Sequence, residues 1–406
     1  MAVGTATDLN LLPIPGIRLA AASAGIYLRQ RPDLCLIEMH PGGAAAALFT
    51  TNSFCAAPVT VARANLAQIR PRYCLINAGN ANAGTGAQGQ NAACATCAGL
   101  ATLAGCSASE VLPFSTGVIG EHLPVDRIVT ALPGLLQSLR ADGWGDCSRA
   151  IMTTDTVAKG CSVALEIGGR RVHVTGIAKG AGMIHPRMAT LLAFIGTDAA
   201  VTAPVLNVLL RSCVSESFNR ITVDGDTSTN DACIALASGV AENSCITNVD
   251  SAEAVALRGA LARVCSTLAQ AIVRDGEGAT KFITVQVEQG RDETECLQVC
   301  HAVATSPLVK TAFFASDPNW GRILAATGRA GVRDLDVGLV NIFLDDVCIV
   351  SGGARAATYT EEAGQKVMAH SDIVVRIVLG LGPARATVWT CDFSTDYVRI
   401  NADYRS

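Results

Sequence analysis

Short apolar runs of strand character alternate along this chain with alanine-rich stretches of helical character. A chain with this alternation buries one face of each element against another layer, so it folds into stacked sheets and helices. Two of the runs flank Gly168-Gly169, which predicts an antiparallel hairpin and argues against a purely parallel sheet. We therefore predict an α/β class with α+β layering. The predicted strands are 34–37, 59–61, 73–76, 163–167, 172–177, 282–287, 337–343, 372–379 and 386–390, and the predicted helices are 90–104 and 251–273.

Length and composition indicate the class of protein, the number of domains and the residues of the core. The 406 residues are 50% hydrophobic and 16% charged, which excludes a disordered chain and a coiled coil. At roughly 150 residues per domain the length predicts two or three domains, although no linker marks a boundary. Aromatic residues make up only 4% of the chain, so we expect a core of Val, Leu, Ile and Ala.

The charge balance argues against a nucleic-acid partner. The chain has 31 basic and 35 acidic residues and a net charge of −4, whereas a phosphate-binding surface needs an excess of basic residues. Small molecules are therefore the expected partners. The sequence shows no basic segment followed by an apolar run at its start and no stretch of 18 apolar residues. We expect a soluble, cytoplasmic protein without a membrane partner.

The 16 cysteines are scattered, and many have apolar neighbours. This distribution favours buried free thiols in a reducing compartment over a disulfide framework. Cys94 and Cys97 have the spacing of half a metal site, but no second Cys or His pair follows at zinc spacing. We therefore predict no metal ion. We also expect no bound cofactor.

A glycine-rich phosphate motif is a weaker candidate. Gly84, Gly86 and Gly89 fit G-x-G-x-x-G before a helical stretch. A dinucleotide site also needs a strand that runs into the first glycine and an acidic residue at the end of the next strand. Residues 77–83 intervene here, and the first acid downstream, Glu110, follows no strand-like run. A Rossmann-type NAD(P) oxidoreductase is therefore kept only as an alternative.

The strongest chemical signal lies in residues 179–194. This segment follows a strand-like run, opens with a glycine-rich turn, and places Lys, His and Arg beside an apolar run that begins at Thr190. Residues 114–120 form a small-residue turn that can aim a hydroxyl and backbone N–H groups at one point, as an oxyanion hole requires. Residues 150–156 offer hydroxyls and a carboxylate, and 274–281 form a charged, glycine-hinged turn. Each segment taken singly also fits an ordinary turn or helix cap.

Taken together and in order, six motifs make the sequence similar to a known family. They are KGAGMIHPRMATLL, STGVIGE, MTTDT, DGEGATKF, SDPNWGR and the terminal YVRINADYRS. The sequence resembles the ornithine acetyltransferases, also called bifunctional glutamate N-acetyltransferases, from about Leu11 to Ser406. The resemblance implies a sandwich of sheets covered by helices, related to the architecture of aminopeptidases with an N-terminal nucleophile.

The resemblance implies that a precursor cuts itself at the Ala189–Thr190 bond. The products would be an α chain of residues 1–189 and a β chain of residues 190–406. Thr190 would then be the N-terminal nucleophile. The chemistry is consistent with this, because the free α-amino group has a pKa near ~8 in model compounds and can accept the hydroxyl proton.

The implied reaction moves acetyl from N-acetylornithine to Thr190, and then from Thr190 to the amine of glutamate. By the same resemblance, Thr116 and Gly117 hold the oxyanion of each tetrahedral intermediate. Lys179 would bind a carboxylate, and Glu277 would bind an ammonium group. The residues that the resemblance assigns to substrate binding are Thr153, in preference to its neighbour Thr154, with Lys179, Thr190, Glu277, Asn401 and Ser406.

The resemblance further implies an α2β2 assembly, and it leaves open whether acetyl-CoA also serves as a donor. An amidohydrolase or aminopeptidase with an N-terminal nucleophile is the main alternative, since it would process itself but release the acyl group to water. A non-catalytic binding protein is a third possibility, and it predicts that the chain stays intact.

Overall fold

The computed structural model describes residues 2–4, 9–27, 31–185 and 191–403. Every helix within these ranges is too short or too polar to cross a lipid bilayer. The strands are β1 (Ile17–Ala22), β2 (Leu34–Met39), β3 (Ala44–Phe49), β4 (Tyr73–Asn80), β5 (Val111–Val118), β6 (Lys159–Ile167), β7 (Arg170–Lys179), β8 (Leu192–Thr197), β9 (Ile221–Thr222), β10 (Ala232–Ala237), β11 (Phe282–Gly290), β12 (Asn341–Leu344), β13 (Val347–Ser351), β14 (Ala354–Arg355), β15 (Asp372–Val378) and β16 (Ala384–Cys391). The helices are α1 (Ala57–Gln68), α2 (Gly86–Ala104), α3 (Val125–Gln137), α4 (Trp144–Ala150), α5 (Ala203–Ser215), α6 (Ala252–Arg274), α7 (Glu293–Ala304), α8 (Pro307–Phe314), α9 (Trp320–Gly328), α10 (Glu361–Met368) and α11 (Thr395–Ala402).

The chain divides into two compact units. The larger comprises residues 7–219 and 226–272, and the smaller comprises 1–6, 220–225 and 273–406. Both sides of the predicted Ala189–Thr190 bond belong to the larger unit. The division into chains 1–189 and 190–406 therefore does not follow the units, and it stays a prediction.

The larger unit is a sandwich of two sheets with helices outside. The four-stranded sheet has the order β1-β2-β4-β5, and the five-stranded sheet has the order β3-β10-β8-β7-β6. Their facing sides form one apolar cluster, in which the rings of Phe114 and Phe194 meet edge to face at 5.2 Å. Helices α2 and α3 cover the outer face of the first sheet. Helix α6 packs so closely on β7 that a Cβ at Gly176 would lie 2.6 Å from Val264. This arrangement confirms the predicted class and the predicted sandwich.

Strand β2 shows why the sequence forms these layers. Its residues Cys35, Ile37 and Met39 lie in the cluster between the sheets, whereas Leu34 and Leu36 lie beneath the outer helices. Successive side chains of a strand point to opposite faces, so a strand covered on both sides is apolar without alternation. Residues 34–37 are apolar without interruption for this reason.

The smaller unit is built on a seven-stranded sheet of order β14-β13-β12-β15-β11-β16-β9. Strand β11 pairs in parallel with β15 and antiparallel with β16, so the sheet is mixed. Helix α7 packs on β11 and β16, and its Val299, Cys300 and Val303 belong to the apolar core of this unit. The C-terminal helix α11 follows the last long strand, β16.

Most of the predicted elements are confirmed, including the hairpin β6–β7, whose turn has Gly168 and Gly169 at φ of 58° and 75°. Two predictions are wrong. Residues 59–61 belong to helix α1, because Pro58 in its first turn initiates a helix that the β-branched residues then continue. Residues 337–339 form a short 3₁₀ turn, and the strand begins only at Asn341.

The expectation of free thiols is wrong at one pair. Cys35 in β2 and Cys147 in α4 form a disulfide, with Cα atoms 5.5 Å apart. Both side chains are fully buried, because α4 packs directly on the first sheet. The sequence separation of 112 residues hid this proximity. The other 14 cysteines are free thiols, but only eight of them are buried, so the expectation of buried free thiols is confirmed in part.

Candidate active site

Three neighbouring strands of the five-stranded sheet have one end in common, where β7 stops and β8 and β10 begin. Strand β7 ends at Lys179, which pairs with Leu192 at the start of β8, and Leu192 pairs in turn with Ala232 at the start of β10. The predicted cleavage site and nucleophile, Ala189 and Thr190, lie outside the described residues, as does Ser406. Thr190 is bonded to Leu191, the first described residue before β8.

Lys179 and Thr116 form the first contact of the candidate site. The Nζ atom of Lys179 donates a hydrogen bond to Oγ1 of Thr116 at 3.0 Å, and both side chains are buried. An ammonium group only donates, so the Thr116 oxygen accepts here and its own O–H can donate to another acceptor. The arrangement leaves a polarised hydroxyl donor of the kind that stabilises an oxyanion.

Gly117, predicted to lie in a small-residue turn with Thr116, instead lies with it in strand β5. It pairs with Gly79 of β4, where the register shifts. Its φ is 134°, and a Cβ atom there would lie 2.2 Å from the carbonyl carbon of Gly79. This glycine is therefore required by close parallel pairing with β4, which ends at Asn80, and not by a local turn.

A buried network of amides and hydroxyls holds the end of β5. The Ser115 hydroxyl donates to Oδ1 of Asn77 at 2.6 Å, and Asn77 Nδ2 donates to the Asn80 carbonyl at 2.8 Å. From the other sheet, Asn230 Nδ2 donates to the Ser115 carbonyl at 2.9 Å. Satisfied buried networks of this kind are rigid. The residue directly before Thr116 is therefore fixed from both sheets.

Asp155 connects the candidate site to a second lysine. One carboxylate oxygen accepts from Lys159 Nζ at 2.6 Å and from the Gly180 N–H at 2.7 Å. The other accepts from the Thr153 N–H at 3.0 Å. The side chains of Asp155 and Lys159 are 0% and 1% exposed, so this ion pair is removed from water.

The electrostatics of this cluster favour an anion. Burial alone would raise the pKa of Asp155, but Lys159, Lys179 and the Gly180 N–H together hold that pKa below its usual value. Asp155 is therefore a carboxylate with two ammonium groups beside it. These three side chains together carry a net positive charge next to Thr116.

Thr153 was predicted from the sequence, but the roles of Asp155 and Lys159 were not. Thr153 is half-buried, and its backbone is fixed by Asp155. The four-residue spacing of Asp155 and Lys159 was visible, but the residues between them are not helical, so no helical pairing rule applied.

Glu277 and Asn401 meet within the smaller unit. Asn401 Nδ2 donates to Oε2 of the buried Glu277 at 2.7 Å. Helix α11 reaches this turn because Ser394, its N-cap residue, donates its hydroxyl to the Gly278 carbonyl at 2.6 Å. A Cβ at Gly278 would lie 2.5 Å from the Tyr397 nitrogen, so the glycine allows the helix to approach. The structure thus brings together these two predicted residues.

The glycine-rich loop before α2 closes on itself. Asn82 Nδ2 donates to the Gly89 carbonyl at 2.8 Å, and Thr85 Oγ1 donates to Asn82 Oδ1 at 3.0 Å. A Cβ at Gly89 would lie 1.9 Å from Thr85 Oγ1, so Gly89 makes room for these side chains. The loop's own polar side chains therefore explain the glycine at position 89. Within the described ranges, no three His, Cys, Asp or Glu side chains are grouped to hold a metal ion.

Replacing Thr116 by valine tests the hydroxyl donor. We expect Thr116→Val to lower kcat by ~10²–10³, the usual effect of losing one oxyanion donor, with a smaller change in KM. Steady-state kinetics of the acetyl transfer that the resemblance implies measures both constants. Thr96→Val is the matched control, because among the described residues this buried hydroxyl donates to its own helix alone, at the Ala93 carbonyl. An unchanged kcat in Thr116→Val would contradict the assignment.

A family model and the similar curated proteins all indicate the same family. A family model described as the ArgJ family matches residues 18–406. A protein of Methylococcus capsulatus, named arginine biosynthesis bifunctional protein ArgJ, is 57% identical over 98% of both chains. A protein of Pseudomonas syringae pv. tomato with the same name is 54% identical over 100% of both. The crystal structure of the protein of that name from Bacillus halodurans is 37% identical, with a TM-score of 0.48 over 50% of this chain and 95% of its own.

Proposed function

The chain belongs to the ArgJ family, and on that premise we propose that it is an acyltransferase of arginine biosynthesis. It transfers acetyl from N2-acetyl-L-ornithine to L-glutamate and yields L-ornithine and N-acetyl-L-glutamate. The acetyl group passes through an ester on Thr190. The observation that carries the proposal is the buried hydrogen bond from Lys179 to Thr116, because Lys179 pairs with Leu192, two residues after Thr190 in the chain.

Self-cleavage comes first. The Thr190 hydroxyl attacks the Ala189 carbonyl carbon, and the C–N bond breaks as the hydroxyl proton passes to nitrogen, which leaves an ester and an amine. Water then hydrolyses the ester and releases chains 1–189 and 190–406. The oxyanion of the tetrahedral intermediate needs a donor, and the Thr116 hydroxyl, polarised by Lys179, supplies one. Gly117 supplies its backbone N–H.

The acetyl transfer repeats this chemistry on substrates. The α-amino group of Thr190 takes the hydroxyl proton as the oxygen attacks the acetyl carbon of acetylornithine. The same proton leaves with ornithine, and the acetyl-Thr190 ester remains. The amine of glutamate then attacks the ester, and the Thr190 hydroxyl is restored. The net positive charge of Asp155, Lys159 and Lys179 favours both oxyanions.

Substrate recognition follows from the charges. Lys179 suits the carboxylate that ornithine and glutamate share. Glu277, held by Asn401, suits the ammonium group. Thr153, fixed through its N–H by Asp155, and the terminal Ser406 complete the proposed contacts. We also propose an α2β2 assembly of the processed chains, and acetyl-CoA as a second donor because the relatives are named bifunctional.

Mass spectrometry and product analysis of the purified protein test this function. Incubation with acetylornithine alone should add one acetyl group to fragment 190–406 and release one equivalent of ornithine. Continuous release should then require glutamate. Ornithine release that is equally fast without glutamate would identify an amidohydrolase instead. Acetylation of the same fragment by acetyl-CoA tests the second donor.

A further inference from the structure

A groove lies against β3, the edge strand of the five-stranded sheet. It belongs wholly to the larger unit, between helices α1 and α5, and has a volume of about 530 Å³. Sites for small molecules typically have volumes of roughly 300–1,000 Å³. The lining residues that give the groove its character are Phe49, Thr51, Arg63, Leu66, Arg211 and Asn219. None of them has a role in the mechanism above, so the groove is free for a ligand larger than ornithine or glutamate.

Two arginines give the groove a positive charge. Arg63 comes from α1 and Arg211 from α5, and both side chains are exposed. Arg63 donates to the Thr50 carbonyl at 3.3 Å, and Arg211 Nε donates to Asn207 Oδ1 at 2.9 Å. Within the described part of the chain, neither guanidinium pairs with a carboxylate and no acidic side chain lines the groove. Because a guanidinium has five donors, each arginine keeps donors for an anionic ligand.

The lining combines these charges with apolar and aromatic surface. The Phe49 ring lies 5.5 Å from the guanidinium of Arg63, and the half-buried Leu66 lines the same groove. Guanidinium groups bind phosphate through two parallel N–H···O bonds, and a flat ring stacks on aromatic and guanidinium faces. The groove therefore suits a ligand that joins several phosphates to a heterocyclic base better than it suits a free amino acid.

The strand register places the groove beside the candidate site. Phe49 at the end of β3 pairs with Ala232 of β10, and Ala232 pairs with Leu192 at the start of β8. Adjacent strands lie about 4.8 Å apart, so the backbones of Phe49 and Leu192 are about 10 Å apart. The next residue agrees with this placement, because the Thr50 N–H donates to the Asp231 carbonyl at 2.9 Å, directly before Ala232. A ligand in the groove is thus two strands from the start of β8.

We propose that the groove binds the phosphate-bearing half of acetyl-CoA, with Arg63 and Arg211 on its phosphates and Phe49 against its adenine ring. The assignment rests on the function proposed above and deepens it, since it gives the second donor a site of its own. Acetyl-CoA carries its acetyl group on a long flexible arm, so its phosphates can lie in the groove while its thioester reaches the start of β8. Acetylornithine has no phosphate and does not use the groove.

The transfer from acetyl-CoA keeps the chemistry proposed for acetylornithine. The Thr190 oxygen attacks the thioester carbon, the C–S bond breaks, and the hydroxyl proton leaves on the sulfur of coenzyme A. The acetyl-Thr190 ester is the same for both donors. The two arginines therefore act on binding alone, and their loss should change KM rather than kcat.

The decisive experiment compares two double variants of the full chain by steady-state kinetics. Arg63→Gln with Arg211→Gln removes both cations of the groove. Arg170→Gln with Arg171→Gln is the matched control, because it removes two exposed arginines at the β6–β7 turn, the opposite end of the sheet. We expect the groove variant to raise KM for acetyl-CoA at least about tenfold, because charge-assisted hydrogen bonds are lost. Its KM for acetylornithine, and both constants of the control, should stay near wild type.

A donor without the nucleotide separates phosphate recognition from a general effect. S-acetylpantetheine carries the same thioester and no phosphate, so its KM should be the same in the wild type and in the groove variant. Calorimetry in the uncut Thr190→Ala chain measures the binding of coenzyme A without turnover. Its affinity should fall in the groove variant by about the same factor as KM rises, and it should fall with added salt. ATP is the competing nucleotide in the same titration.

Each outcome decides the question. A rise in KM that is confined to acetyl-CoA and to the groove variant supports the assignment. An unchanged KM overturns it, and so does an equal rise for acetylornithine or a wild type that does not bind coenzyme A. ATP that binds as tightly as coenzyme A, at an unchanged KM for acetyl-CoA, would overturn it in favour of an unrelated nucleotide site. Failure of the proposed function is a separate result, since the wild type would then transfer acetyl from neither donor, whereas calorimetry still reports on the arginines.

Discussion

Replacing Thr190 by alanine is expected to leave the precursor as one chain of 406 residues and to abolish acetyl transfer. Alanine has no hydroxyl, so neither the acyl shift at Ala189 nor the acetyl ester can form. Loss of a nucleophile that works as a unit with its base lowers turnover by at least about 10⁴-fold. Intact-mass measurement and a coupled ornithine assay on the same preparation check both effects.

Thr190→Ser is the matched variant for this experiment, because it keeps the hydroxyl and removes only a methyl group. It should still cut itself and retain part of the activity. An uncut wild type that transfers acetyl, or a Thr190→Ala chain that still splits after Ala189, would contradict the N-terminal nucleophile.

Replacing Asp155 by alanine is expected to have the largest effect on stability. It leaves Lys159 buried without the carboxylate that accepts its hydrogen bond at 2.6 Å. Removing one partner of a buried ion pair costs about 3–5 kcal/mol. The change also frees the Gly180 N–H and alters the charge beside Lys179, so we expect kcat to fall about 10²-fold through misplacement of the Thr116 donor. Chemical denaturation in the uncut Thr190→Ala background measures the free energy of unfolding.

The effect of Asp155 should depend on pH with a definite sign. Its pKa in the folded state is lowered, so its contribution is fully present above the ordinary value of about 3.9 and is lost as pH falls below that value towards the lowered pKa of the folded state. The difference in unfolding free energy between parent and Asp155→Ala should therefore shrink in acid. Asp142→Ala is the control, since the exposed pair of Asp142 with Arg140 contributes at most about 1 kcal/mol. Equal losses in both variants would contradict the buried-pair interpretation.

Local pattern predicted the elements whose character is set by their own residues. The hairpin around Gly168-Gly169 and the long helix α6 follow from turn chemistry and helical periodicity. Residues 59–61 did not follow, because their β-branched side chains favour a strand while Pro58 and packing against β5 select a helix. The Cys35–Cys147 disulfide could not be predicted either, since it depends on α4 docking against β2.

Some residues of the candidate site could be predicted from the sequence and others could not. Motif resemblance named Thr116, Lys179 and the pair Glu277–Asn401, and the structure brings the members of each pair into contact. The charged residues that set the electrostatics of the candidate site could not be predicted from the sequence. Asp231 lies near Lys179 and Leu191 because β10 pairs with β8. The register between two strands that are distant in sequence cannot be read from single residues.

The five-stranded sheet takes strands from both sides of the Ala189–Thr190 bond. Strands β3, β6 and β7 come before it, and β8 and β10 come after it and lie between β3 and β7. The Cys35–Cys147 disulfide lies wholly within residues 1–189, and the remaining cysteines are free, so cutting the bond leaves the two chains held by hydrogen bonds and packing. If the chain is cut as proposed, folding of the precursor is unimolecular, whereas refolding of the cut enzyme requires two chains to meet at a rate that depends on concentration. The cut enzyme would keep the fold that the precursor reached before cleavage. The time for which it stays active would then be set by its unfolding rate.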